Sequence, residues 1–148
     1  MADHMREQVM DAMLTTIGTL TSIGAPASRN RIYAEQAPAL AVMMGDDVPI
    51  QDDGRIVVGA VDRRLVVNLV VIAQATDPQD IDQQLNAIEA ELYNALQSLS
   101  LPGIQRHHWA GTSEPETSQD FEIPTATMTV AWVVEYRHQL TDVTAPGA

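Results

Sequence analysis

Residues Arg64 to Ala75 read RLVVNLVVIAQA, a run that is apolar on both sides of an extended chain. Successive side chains of a strand point to opposite faces. Leu65, Val67, Leu69 and Val71 therefore share one side, and Val66, Val70 and Ile72 share the other with Asn68 as its one polar member. A strand of this kind needs cover on both faces. Helices elsewhere in the chain can cover one, which leaves the second to a further layer or to another copy of the chain.

Upstream, Val9, Met13, Ile17 and Leu20 recur at helical spacing with Met10 and Leu14 beside them. This predicts an amphipathic helix from Asp3 to about Ile23, capped by Asp3 and ended by Gly24-Ala25-Pro26. Arg31-Ile32-Tyr33 reads as a brief strand, Ala37-Pro38 as a break, and Ala39 to Met44 as a strand with Leu40, Val42 and Met44 on one face. Gly45 to Gly54, GDDVPIQDDG, carries the Asp and Gly density of a hairpin loop leading to a strand at Arg55 to Val61. Its Asp46, Asp47, Asp52 and Asp53 do not follow the EF-hand spacing, so a solvated loop contacting an Arg-bearing partner is the expectation.

Downstream, Asp77 as N-cap and Pro78 at the first helical position open a second helix. Its Ile81, Leu85, Ile88, Leu92, Ala95 or Leu96, and Leu99 form one stripe, and Leu101-Pro102-Gly103 ends it. Ile104 to Trp109 reads as a strand, and Ala110 to Pro124 as a polar mobile loop or an arm that orders on contact. From Thr125 to His138, Ala126, Met128, Val130, Trp132, Val134 and Tyr136 alternate with polar or small residues, a strand with one core face. Gln139 to Ala148 is expected to fray. The order predicts a single α+β domain over residues 1–148, an antiparallel or mixed sheet of about four or five strands with two helices on one face.

The 148 residues include 20 acidic and 8 basic side chains, every basic one an arginine, for a net charge of -12. Such a charge repels phosphates, so sequence-specific nucleic-acid binding is not expected, whereas a surface past which DNA slides is compatible with it. Cysteine is absent, which removes disulfides and thiolate chemistry. No run approaches the roughly 20 apolar residues of a membrane span, and the amphipathic N-terminus is unlike an export signal, so the expectation is a cytosolic product. His107 and His108, adjacent on a strand, point to opposite faces and do not share a metal from there. No P-loop, dinucleotide fingerprint or hydrolase motif is present. The inventory predicts no catalytic, cofactor or metal residues and a non-enzyme. The competing reading from another class is a small enzyme or ligand-binding domain using His107 or His108 with Glu135.

The order of signatures resembles the tail-terminator proteins of long-tailed bacteriophages. The likeness rests on the N-terminal helix, Arg31-Ile32-Tyr33 before Ala37-Pro38-Ala39-Leu40-Ala41-Val42, and the strand Arg64 to Ile72. It continues through Asp82 to Leu92 and then Thr127-Met128-Thr129-Val130 leading to Val134-Glu135-Tyr136. The resemblance implies a hexameric ring capping the head-proximal end of the tail tube, stopping tube polymerisation and joining neck proteins, with DNA passing through its lumen. It implies a virion location after assembly in host cytoplasm. The nearest alternative in the same class is a head-tail connector or tail completion protein. Candidate assembly contacts are Met43, Met44, Asp46, Asp47, Asp52, Asp53, Arg55, Arg63, Arg64, Glu114, Glu116, Asp120, Glu135 and Arg137.

Overall fold

The structure, a computed structural model, describes residues 3–18, 20–23, 26–32, 37–50, 59–118 and 123–147. Along these the chain runs α1 (Met5–Ile17), β1 (Ser28–Arg29), β2 (Ala39–Pro49), β3 (Ala60–Gln74), α2 (Pro78–Leu96), β4 (Ile104–Thr112), β5 (Glu116–Ser118), β6 (Thr125–Gln139) and β7 (Asp142–Pro146). The sheet order is β1-β2-β3-β6-β4, and β5 and β7 both pair with β6. β1 runs parallel to β2 and the other pairings are antiparallel, so the sheet is mixed.

The helices lie on one face, as their apolar stripes demand. α1 buries Met5, Val9, Met10, Met13 and Ile17, and α2 buries Ile81, Leu85, Ile88, Leu92 and Leu96. They share a core with Leu65, Val67, Leu69 and Val71 of β3, Leu40 and Val42 of β2, and Val130, Trp132 and Val134 of β6. The α+β class and the one-sided helices match the expectation, and more strands pair than expected. The α2 start is also as read: Asp77 Oδ1 accepts from the Gln79 N–H at 3.0 Å, with Pro78 following the cap. Its end comes earlier than the expected Leu101-Pro102-Gly103, at Leu96, where the Ser98 and Leu99 N–H groups tighten to the Ala95 and Leu96 carbonyls.

Five local departures have physical causes. First, α1 stops at Ile17 rather than Ile23, and His4, not Asp3, caps it by accepting the Arg6 N–H on Nδ1 at 3.0 Å. Past Gly18, the Thr21 hydroxyl and the Ser22 N–H turn to the Glu91 carboxylate of α2, which a continuing helix could not reach. Gly24 and Ala25 lie outside the described residues. Second, the brief strand is Ser28–Arg29 rather than Arg31-Ile32, set by its parallel pairing with Ala41 and Val42, and Arg29 there pairs with Glu7 at 2.7 Å; Tyr33 lies outside the described residues.

Third, β2 continues through Gly45 to Pro49 instead of ending at Met44, because a bulge between Met44 and Asp47 takes up the extra residue and Asp47 finds partners. Residues 51–58, hence the rest of the expected loop and most of the Arg55 strand, lie outside the described residues. β3 starts at Ala60 and includes Asp62 and Arg63, whose charges are paired with Arg137 and Asp47. Fourth, the expected mobile segment is partly strand: β4 reaches Thr112 and β5 covers Glu116–Ser118. An edge strand bonds through its backbone without needing an apolar face, and Ser113 N–H donates to the Thr129 carbonyl at 2.8 Å. Fifth, the tail forms β7 against β6, and the Gln8 side-chain amide donates to the Thr144 carbonyl at 2.9 Å.

The bulge explains Gly45. A Cβ there would lie 2.9 Å from the Val66 carbonyl oxygen and 3.0 Å from Asn68 Nδ2. Gly45→Ala is therefore expected to cost about 2 kcal/mol, read as a lowered denaturation midpoint at unchanged m-value.

Candidate functional site

The pairing register builds a second sheet face that neither helix covers. On β3 it carries Val66, Asn68, Val70 and Ile72, the set alternating with the core residues. β2 adds Met43 opposite Asn68, Ala41 opposite Val70 and Ala39 opposite Ile72. β6 adds Val133 opposite Val66, Ala131 opposite Asn68, Thr129 opposite Val70 and Thr127 opposite Ile72. None of these side chains joins the core cluster, although Ala39, Ala41, Ile72 and Val133 are themselves buried and the others half-buried. Alanines and threonines keep the face low, and Asn68 sits half-buried at its centre.

Ion pairs border one end of this face. Glu135 is 4% exposed, and its carboxylate accepts from Arg64 Nη2 at 3.3 Å and from Arg106 Nη2 at 3.2 Å, with Arg106 Nε on the other oxygen. Arg137 holds Asp62 through Nε at 2.6 Å and Nη2 at 3.1 Å, and that contact, more than any other influence, raises the Arg137 pKa further. The guanidiniums of Arg64 and Arg106 remain open to solvent. An apolar plateau bordered by paired charges is suited to association.

The opposite face of the same strands hides a polar hub that the sequence did not reveal. Asp47 accepts from Arg63 Nε at 3.1 Å and from the Tyr136 hydroxyl at 2.8 Å, with Arg63 Nη2 at 2.8 Å and Arg6 Nη1 at 3.7 Å. Its side chain is 4% exposed. Burial, then the bond to Asp47, pushes the Tyr136 phenol well above its usual range. Arg63 also lies over the Tyr136 ring. These partners are far apart in the chain, so no local pattern announces them.

The sequence-predicted contacts thus divide. Met43, Arg64, Glu135 and Arg137 lie on the second face or its border. Asp46 is exposed in the bulge, and Glu114 and Glu116 are exposed around β5. Asp47 and Arg63 turn to each other, and Met44 packs against the core. Asp52, Asp53, Arg55 and Asp120 lie outside the described residues. Arg106 is not among the predicted contacts, since its pairing with Glu135 depends on the β4–β6 register.

The two histidines do part to opposite faces. His107 Nδ1 accepts the Trp132 indole N–H at 3.0 Å, and His108 is exposed beside Val133. Burial, the largest influence, lowers the His107 pKa from its ordinary 6.5, although the Leu99 backbone bond acts the other way. A histidine with a depressed folded pKa stabilises the fold above the unfolded value and loses that contribution as pH falls through the folded one. Thermal stability should therefore decline below about pH 6.5, with a shallower decline in His107→Gln; equal slopes would dismiss this assignment. Among the described residues no group of three or more His, Asp or Glu is placed to hold a metal ion. No helix among them is long and apolar enough to cross a membrane.

No protein-family model matches the chain, and no curated protein is similar to it in sequence. Among solved structures the fold is similar to a chain in the virion of a native gene transfer agent particle, with a TM-score of 0.44 and 11% identity. That similarity covers 90% of this chain and 95% of the other.

Proposed function

We propose that this chain is a structural virion protein that acts as a tail terminator. Copies close into a hexameric ring on the head-proximal end of the tail tube, stop its growth and present a surface to the neck proteins. The observation that carries this reading is the sheet face centred on Asn68, apolar and uncovered by either helix. The order of signatures shared with tail terminators supports the same reading.

A ring is a closing heterologous assembly, so every subunit needs two different contact surfaces. The second face supplies one of them. A net charge of -12 per chain, repeated around a ring, disfavours retention of DNA in the lumen and favours its passage.

The test is native mass spectrometry with negative-stain imaging, followed by addition of the protein to polymerising tail-tube subunits. The expected result is a closed ring that halts tube growth. Rings that bind a head connector and leave tube growth unchanged would favour the connector reading. A monomer at all accessible concentrations would remove the ring.

A further inference from the structure

The geometry points to an edge seam in the ring beside the contact made by the second face: the free margin of β4 in one copy lies along the free margin of β2 in the next. This inference rests on the ring reading. Among the described residues, no strand pairs with the outer edge of β4, and β1 covers β2 only at Ala41 and Val42. Among the described residues both margins therefore present backbone groups with no strand partner, which a second chain can satisfy.

Charge on the two margins is complementary. The β4 margin carries Arg106, with 72% of its side chain exposed, and exposed His108. Exposed Asp46 lies on the β2 margin, beside Met43 and the 45% exposed Val48. Arg106 and His108 are opposite Glu135 and Val133 on the open side of the sheet, which also carries Met43 opposite Asn68. Arg106, held by Glu135 through Nε and Nη2 yet still largely exposed, can therefore approach Asp46 of the neighbour on the side of the sheet that carries Met43 and Asn68.

The β4 margin also displays an anchor. Trp109 is 47% exposed, yet its indole N–H donates to Thr112 Oγ1 at 3.0 Å, and Thr112 in turn donates to Glu89 of α2 at 2.7 Å. Tyr93, half-exposed on α2, packs edge-on against Trp132, the cross-strand partner of Trp109. An exposed tryptophan already held in place loses little freedom on association, as interface anchors do. Strand direction agrees as well. β2, β3, β6 and β4 are each antiparallel to the next, so β4 runs opposite to β2 and meets a neighbour's β2 as an antiparallel edge.

The chain has no native cysteine, which makes cross-linking decisive. Facing Cα atoms of antiparallel strands are about 4.5–5.5 Å apart, within disulfide reach. Val48→Cys combined in turn with Gln105→Cys and His108→Cys should give, on mild oxidation, a ladder of multimers up to the ring that collapses on reduction. Each single variant should stay uncross-linked. Asp46→Arg should leave the thermal midpoint unchanged and weaken assembly at least tenfold. A cross-linked dimer from His108→Cys alone would replace the seam with a symmetric β4–β4 contact. A ring of full mass that neither cross-links nor responds to Asp46→Arg would overturn the seam and leave the ring standing. A monomer throughout would overturn both.

Discussion

Leu69→Asp is expected to unfold the chain, whereas Asn68→Asp, one residue earlier, should leave the monomer folded and block assembly. Leu69 is fully buried between Val42 and Val130 beneath the helices. Losing its burial costs about 2–3 kcal/mol. An unpaired carboxylate in the core adds several more, and the sum rivals the about 5–15 kcal/mol that holds a domain together. Asn68 is isosteric with Asp and half-buried on the second face, so the folded monomer should lose under about 1 kcal/mol. Covering that face by a neighbour would strand the new charge among Met43, Val70 and Ala131. A penalty of about 3 kcal/mol there weakens association by roughly two orders of magnitude. Circular-dichroism melts and sedimentation velocity read the two effects separately. If the Asn68→Asp variant assembles like the native protein, the second face is not an assembly surface.

Asp47→Ala should cost about 3–5 kcal/mol, while Asp46→Ala should change fold stability by less than about 0.5 kcal/mol. The neighbours differ in burial and in partners. Removing the Asp47 carboxylate leaves the Arg63 guanidinium and the fully buried Tyr136 hydroxyl without their acceptor. The penalty is mainly that of stranded polar groups, so Asp47→Ala combined with Arg63→Met and Tyr136→Phe should recover much of it. Urea denaturation of the single variants and the triple variant measures this. Equal midpoints for the two single variants would mean that the hub contributes no stability.

Much of the fold is legible in the sequence where the deciding forces are local. The α2 cap at Asp77-Pro78 and the stripe from Ile81 to Leu96 are properties of one segment, and the observed helix agrees with them. The alternation from Ala126 to Tyr136 is equally local, and β6 buries that set. Composition misled where distant partners override it. Asp46-Asp47 has turn chemistry, yet Arg63 and Tyr136 hold Asp47 in a strand. The polar stretch after Ala110 lacks a core face, yet the free edge of β6 accepts its backbone as β4 and β5. Of the candidate contacts, Glu135 and Arg64 were recognisable as charged residues on strands, but their joint pairing with Arg106 requires the three-strand register.

The run from Arg64 to Ala75 shows where local pattern stops. Its composition alone established a strand with two apolar faces in a small α+β chain, because alternation and burial demand are written in consecutive residues. Alternation is symmetric, however, and the run itself contains nothing to say which set meets the helices. Tertiary packing chose Leu65, Val67, Leu69 and Val71 for the helices and left half-buried Val66, Asn68 and Val70 with buried Ile72 on the other face. That choice follows from strand register and from where the connections place α1 and α2, both set by contacts between residues far apart in the chain.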